Sequence, residues 1–203
     1  LAGALIHQAG GRGAEVADFL HRALSAEAPD GVSRTAAAAF RELGYLSVQR
    51  GVPDRAAGWL DRAMQAARGI PEEQARILAI QGMLASDTAH YGDAVAAFAE
   101  SRRLARAVRN RRQQAFSEAL LGRVHLLRGD LELAAAALDR ALNGIAEEHW
   151  TAFEPFAAGV RGETYLAAGR LDAAADLIDR SWVMAELAGD HCYMALAAGA
   201  EAR

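Results

Sequence analysis

A segment of about forty residues recurs four times in this chain, and this repeat constrains the fold more than any other feature. Its first register position is a glycine in every copy. Small residues follow it at 7, 12 and 19 positions further on, and a large apolar residue follows it at 16 positions. The five positions hold Gly44, Gly82, Gly122 and Gly162; Gly51, Ala89, Gly129 and Gly169; Ala56, Ala94, Ala134 and Ala174; Leu60, Phe98, Leu138 and Ile178; and Ala63, Ser101, Ala141 and Ser181.

This spacing predicts a hairpin of two helices in every copy. The first glycine lets the paired helices approach closely, and the small residue seven positions later ends the first helix in a left-handed conformation. An acidic residue then opens the second helix, where we expect it to cap the helix and to complement the helix dipole. These acids are Asp54, Asp93, Asp130 and Asp172.

The predicted helices fill the chain, and the chain is expected to be one all-α domain over residues 1–203. Pro71 and Pro155 fall at helix starts, where proline is tolerated. The hairpins are expected at 2–9 with 13–27, 33–50 with 54–68, 73–89 with 92–109, 111–128 with 131–147, and 153–168 with 171–188, followed by a single helix at 191–202. Because both ends fall within predicted helices, we expect a fragment of a longer protein.

Composition agrees with closely packed helices, since 50 residues are alanine and only 6% are aromatic. The net charge of −4 disfavours a dedicated nucleic-acid-binding domain. A single cysteine, Cys192, excludes an internal disulfide framework. No apolar run reaches the length of a membrane span and no signal peptide is present. The chain is therefore expected to be soluble and cytoplasmic.

The residues Phe40, Leu43 and Gly44, followed by Gly51, Ala56, Leu60 and Ala63, resemble the tetratricopeptide (TPR) signature. The resemblance covers about residues 33–188. It departs from the family in its longer period and in lacking the consensus tryptophan and closing proline. It implies a right-handed superhelical solenoid of antiparallel helix hairpins, with about five repeats and a truncated terminal helix.

Longer, degenerate repeats of this kind are similar to the helical arms of bacterial LuxR/MalT-like transcription regulators. The stretches 148–153 and 188–192 are the most similar to such arms. In that family an ATPase precedes the arm and a helix-turn-helix DNA reader often follows it. Neither is present here: the chain has no phosphate-binding loop, and no lysine to complete one.

Repeat arrays of this kind bind along the concave surface formed by their first helices. On that face we predict a binding site rich in the residue types that supply interface energy. Its residues are Arg41, Tyr45, Arg76, Met83, Phe116, Arg123, Phe156 and Glu163. The alternative is that Phe116 and Phe156 pack between neighbouring repeats while the arginines are merely solvated. The carboxylate clamp of chaperone-binding relatives is not expected, because its lysines and asparagines are missing.

Four other groups of residues could indicate a functional site, but a structural role explains each of them more simply. The arginines at 102, 103, 106, 109, 111 and 112 suit a salt-bridging surface better than a phosphate site. His149, Trp150, Phe153 and Phe156 suit a hydrophobic staple at a helix entry better than a cofactor pocket. His191 with Cys192 lacks a second pair of metal ligands, and Asp87, His90 and Asp93 sit at a hairpin corner where capping is ordinary. No catalytic residue, metal site or cofactor is predicted.

The sequence thus favours a non-catalytic binding module, the sensor or interaction arm of a bacterial regulator. Its partner would be a protein or peptide, a small effector or another domain of the parent protein, with no direct nucleic-acid or membrane contact. Oligomerisation is left open. The alternative is a free-standing TPR scaffold or assembly protein, and an enzyme built on helical repeats is the least favoured class.

Overall fold

The computed structural model describes residues 13–25 and 31–201, and within these ranges every residue in regular structure is helical. The helices of these ranges are α1 (Gly13–Ser25), α2 (Arg34–Gln49), α3 (Pro53–Ala66), α4 (Pro71–Asp87), α5 (Tyr91–Ala107), α6 (Arg111–Arg128), α7 (Leu131–Glu147), α8 (Glu154–Ala167), α9 (Leu171–Ala188) and α10 (His191–Glu201). The predicted bounds of α2 to α9 are correct to within two residues. The helix predicted at 2–9 lies outside the described residues.

The helices form two compact units, the first ending at Val108 and the second beginning at Arg109. In the first unit α2 pairs with α3 and α4 pairs with α5, while α2 and α3 both contact α4. In the second unit α6 pairs with α7 and α8 with α9, and α10 contacts both α8 and α9. Successive antiparallel hairpins therefore pack in sequence order within each unit, which confirms the all-α hairpin prediction.

Each first-helix glycine touches the large apolar residue that the repeat places on the second helix. A Cβ added to Gly44 would come within 2.7 Å of Leu60, and one added to Gly122 within 2.5 Å of Leu138. The same holds at Gly82 against Phe98 and at Gly162 against Ile178. Because real Cβ atoms do not approach other atoms so closely, glycine is required for the paired helices to reach this separation.

The first helix of each hairpin ends in a left-handed residue, as the repeat predicts. The φ angle is 66° at Gly51, 61° at Ala89, 81° at Gly129 and 74° at Gly169. At Gly129 two backbone hydrogen bonds complete the turn, from Gly129 N to Leu126 O at 2.9 Å and from Asp130 N to His125 O at 2.9 Å. This pair of bonds defines a Schellman motif and satisfies carbonyls that the helix end leaves free.

A second left-handed series joins one hairpin to the next, and the sequence analysis did not predict it. Its members are Gly69, Arg109, His149 and Gly189, spaced forty residues apart. Two of them carry side chains in a conformation that costs an L-residue about 1–2 kcal/mol. The forty-residue period therefore fixes the backbone of both turns, with or without glycine.

The expected capping by aspartates at the second helices is wrong. Asp54, Asp93 and Asp172 lie in the first turns of α3, α5 and α9, but no side-chain hydrogen bond caps these helices. Asp130 precedes α7 and instead forms an ion pair with Arg128 at 3.1 Å. The negative charges of these acids still interact favourably with the helix dipole. Side-chain caps occur elsewhere, for example at Ser33 and Asn110, each before a first helix.

Serines at the last register position join the two helices of a hairpin. Ser101 Oγ donates a hydrogen bond to Ala75 O at 2.6 Å, and Ser181 Oγ donates one to Pro155 O at 2.7 Å. Both serines are buried, so these bonds are shielded from water.

Within the described residues, no helix combines the length and the apolar character needed to cross a bilayer.

Replacing Gly82 with alanine is expected to destabilise the first unit by about 1–3 kcal/mol, because the new methyl group overlaps a packed ring. The added Cβ would lie 2.7–2.9 Å from three atoms of Phe98. Gly58→Ala is the matched control, since nothing lies within 4 Å of a Cβ there. It should stabilise α3 by about 0.5–1 kcal/mol. Thermal and urea unfolding followed by circular dichroism measures both, and equal signs would contradict the contact.

Replacing Ala89 with glycine is expected to stabilise the α4–α5 hairpin by up to about 1 kcal/mol, because it relieves the left-handed strain. The same substitution at Ala96, an exposed position inside α5, should cost about 1 kcal/mol through lost helix propensity. Urea midpoints of the two variants give the comparison. A loss of stability in both would mean that the turn at Ala89 is not strained.

Candidate functional site

Four of the eight predicted binding residues come together in the first unit. Arg41 and Tyr45 lie on α2, Arg76 and Met83 lie on α4, and these two helices contact each other. Tyr45 and Met83 are half-buried against one apolar cluster. Arg41 and Arg76 both bond to the carboxylate of Glu73. The first-helix face of this unit is therefore a connected surface.

An ion network holds this surface in place. Besides Arg41, the Glu73 carboxylate contacts Arg76 Nη1 at 3.1 Å and Arg34 Nη1 at 3.5 Å, although its own side chain is only 2% exposed. Glu72 contacts both Arg34 and Arg76 at 2.8 Å. Glu42 accepts a 2.7 Å hydrogen bond from Arg41. Three arginines thus face three glutamates, which leaves the network close to neutral.

The network shifts the pKa values of Glu72 and Arg34 and limits the solvent exposure of Arg41. The hydrogen bond from Arg34 lowers the pKa of the Glu72 carboxyl, and Glu72 in turn raises the pKa of Arg34. The Arg41 side chain is 12% exposed, so its guanidinium is engaged within the chain. Arg76 is 37% exposed and presents part of its guanidinium to solvent. Of the two predicted arginines in the first unit, Arg76 is the more accessible to a partner.

In the second unit, Phe116 and Phe156 belong to an aromatic cluster. Phe153 lies at its centre, 5% exposed, with ring centroids 4.7 Å from Trp150, 5.1 Å from Phe116 and 5.3 Å from Phe156. Tyr193 on α10 extends the cluster, 6.0 Å from Phe156. The rings join α6, α8 and α10 by apolar packing between successive hairpins. Phe116 and Phe156 thus contribute to packing as well as to the first-helix face.

Arg123 and Glu163 occupy the same register position on α6 and α8, which contact each other. Both side chains are half-buried, and both are engaged within the chain. They add opposite charges to the first-helix face of the second unit. The structure thus places all eight predicted residues on first helices, four in each unit.

The arginines at 102–112 lie partly in each unit, and three of them, Arg103, Arg111 and Arg112, contact acidic side chains. In the first unit Arg103 contacts Glu100 at 2.7 Å. In the second unit Arg111 contacts Glu147 at 3.1 Å, and Arg112 lies 5.8 Å from the centre of the Trp150 ring. These contacts agree with the salt-bridging surface expected from the sequence.

The three histidines that the sequence singles out, His90, His149 and His191, lie in ordinary structural positions. His149 is exposed in a left-handed turn, apart from the packed rings of Trp150 and Phe153. His90 Nδ1 lies 3.0 Å from Thr88 Oγ1. His191 is exposed at the start of α10, and the side chain of Cys192 lies outside the described part of the structure. Within the described part, no three His, Cys, Asp or Glu side chains group as metal ligands would.

The glutamates of the network and two grooves in the first unit were not predicted from the sequence. One groove, of about 210 Å³, adjoins Phe40 and Arg62, whose guanidinium lies 4.2 Å from the centre of the Phe40 ring. The other, of about 390 Å³, lies between α3 and α4. The network could have been predicted from the adjacent acids Glu72 and Glu73, which lie on α4 opposite the arginines of α2.

Comparison with solved structures places this architecture among known folds. The chain is similar to aspartyl phosphate phosphatase F from Bacillus subtilis, with a TM-score of 0.76, 14% identity, and 93% of this chain matched to 50% of that one. It is also similar to the apo form of RapI, with a TM-score of 0.70, 16% identity, and 88% matched to 65%. BtubC (BKLC) from P. vanneervenii gives a TM-score of 0.68 and 20% identity, with 93% matched to 79%.

At these identities the likeness establishes the fold alone, a TPR-like helical repeat. The chain spans half to two thirds of the length of the first two of these proteins. No family model and no curated protein sequence matches it.

Replacing Glu73 with glutamine is expected to lower the free energy of unfolding by about 3 kcal/mol, because it removes the buried negative charge that several arginines share. Glu100→Gln is the matched control. It breaks an exposed pair, in which Glu100 is 44% and Arg103 64% exposed, and should change stability by less than about 1 kcal/mol. Urea unfolding followed by circular dichroism measures both variants. Equal effects would mean that the network does not organise the surface.

Proposed function

We propose that the chain is a non-catalytic TPR-like module that binds a protein or peptide through the faces of its first helices. The fold supports this, since repeats of this class present their first helices to ligands. So does the chemistry of the face, because arginine, tyrosine and methionine supply binding energy. Guanidinium groups remain protonated and cannot act as general bases at neutral pH, so these residues suit recognition better than catalysis.

The observation that carries this proposal is the joint surface of α2 and α4. Arg76 offers a partly exposed guanidinium, while Tyr45 and Met83 offer half-buried apolar surface on the same pair of helices. Because Glu73 and Glu72 anchor Arg76, its guanidinium is held in place before a partner arrives. Preorganisation of this kind lowers the entropic cost of binding.

As a finer proposal, the module is the sensor or interaction arm of a bacterial transcription regulator. The resemblance of stretches 148–153 and 188–192 to LuxR/MalT-like arms supports this role. Ligand binding would act by favouring one of two existing arrangements of the parent protein, which requires unequal affinity for the two. The alternative is a free-standing scaffold, and the coding sequence on both sides of this chain separates the two, since a helix-turn-helix belongs to a regulator.

The binding face can be tested with peptides selected from a phage-displayed library against the whole chain. The double substitution Arg76→Ala with Met83→Ala is expected to weaken the selected peptides by about tenfold or more, because it removes one charged and one apolar contact. Fluorescence anisotropy with labelled peptides gives the affinities, and circular dichroism confirms the fold.

Arg106→Ala is the control variant, since Arg106 is an exposed arginine on the second helix α5 and lies off the proposed face. It should leave the affinity unchanged. Selected peptides that bind the double variant as tightly as the original chain would place the site elsewhere and contradict the proposal.

A further inference from the structure

The groove between α3 and α4 lacks a buried cation that its counterpart in the second unit contains. The counterpart lies between α7 and α8 and contains the side chain of Arg161. Arg161 Nε donates to Asp139 Oδ1 at 2.7 Å, and Arg161 Nη2 donates to Asp139 Oδ2 at 3.3 Å. The Arg161 side chain is only 9% exposed, and its guanidinium lies 3.9 Å from the centre of the Tyr165 ring.

The repeat register identifies the equivalent positions in the first unit. Asp139 follows Leu138 as Asp61 follows Leu60, so Asp61 takes the place of the carboxylate. Arg161 precedes Gly162 as Gln81 precedes Gly82, so the guanidinium is replaced by a shorter amide. Tyr165 corresponds to Ala85, which removes the ring beneath the cation as well.

The result is an open polar groove of about 390 Å³ in the first unit. Asp61, Gln65, Gln74 and Gln81 line it together with Met64 and Arg68. Within the described residues Asp61 forms no ion pair, whereas Asp139 is paired with Arg161. The groove thus keeps the carboxylate and has lost the side chain that neutralises it.

The two ends of the groove carry different charges. Asp61 lies within α3, whereas Arg68 lies in the turn that follows Ala66, the last residue of that helix. The turn between α3 and α4 is close to Arg68 and Gln74, so Asp61 and Gln81 lie together at the far end. A cation is therefore drawn to the Asp61 end, and Arg68 repels it from the other. The glutamine amide oxygens add acceptors of the kind that guanidinium N–H groups use.

We propose that the α3–α4 groove binds the guanidinium group of an arginine presented by a partner, in the manner in which the α7–α8 groove holds Arg161. The planar fork of a guanidinium matches a carboxylate in two parallel hydrogen bonds, which an ammonium group cannot form. The groove shares the helix α4 with the binding face proposed above, but Arg41, Tyr45, Arg76 and Met83 are not among its lining residues, so the two proposals can be tested separately.

The test uses the side-chain amide signals of Gln65, Gln74 and Gln81 in the whole chain, followed by nuclear magnetic resonance. The probe is N-acetyl-arginine methylamide, and the comparison probe is the citrulline analogue, which has the same shape without the charge. The arginine probe should shift these signals with a saturating titration, and the citrulline probe should not. Equal shifts with both probes would overturn the proposal.

Three variants locate the site. Asp61→Asn should weaken the arginine probe by about tenfold, the effect of losing one charge-assisted hydrogen-bond pair. Asp179→Asn, at the same register position on α9, should have no effect. Gln81→Arg should abolish binding and raise the melting temperature, because the new side chain can pair with Asp61 as Arg161 pairs with Asp139. Undiminished binding to Asp61→Asn or to Gln81→Arg would overturn the proposal.

Two further probes distinguish an arginine of a protein partner from the free amino acid. They are a short peptide with an internal arginine and free arginine. Tighter binding of the peptide assigns the site to a protein partner. Tighter binding of free arginine assigns it to the amino acid. Arg161→Gln supplies the converse experiment, since it should open the second groove and allow the arginine probe to bind near Asp139.

Discussion

The close contact between a first-helix glycine and a large apolar residue of the second helix is the constraint on which the rest of the structure depends. At Gly122 the space for a Cβ is already taken by Leu138, so the two helix backbones approach as closely as the side chain allows. This contact fixes the register of α6 against α7. The left-handed turns between the helices recur at intervals of about forty residues, in step with this contact.

The contact does not restrict the type of residue just before each glycine. The side chain at that position therefore differs from one hairpin to the next. Leu43, Gln81, Leu121 and Arg161 occupy that position. Leu43 and Leu121 are buried apolar residues, and Arg161 reaches the same depth only by pairing with Asp139. Gln81 is too short for either solution, so its groove stays open. One register position on similar helix hairpins thus carries a buried apolar, a charged or a short polar side chain.

The sequence predicted the parts of the structure that periodicity controls. Helix bounds and the glycine contacts follow from spacing, and both are confirmed. Capping was predicted wrongly, because the turn after residues such as Gly129 and Gly169 uses backbone hydrogen bonds and leaves no role for an aspartate cap. The network around Glu73 and the groove beside Gln81 were missed for a different reason. Both depend on which side chains are long enough to contact the neighbouring hairpin. The repeat pattern shows only whether a position is small, apolar or polar, so it does not predict these contacts.

The two units fill the space between their hairpins with different chemistry, and this has a consequence for recognition. In the second unit the aromatic side chains pack on one another around Phe153, so much of their surface is already buried. In the first unit the space near α2 and α4 is filled by charges that neutralise each other around Glu73. Such a network holds polar groups in fixed positions with little net charge, so it presents oriented donors and acceptors without a strong long-range attraction or repulsion. If the first unit binds a partner as proposed, geometry rather than overall charge decides which partner it accepts.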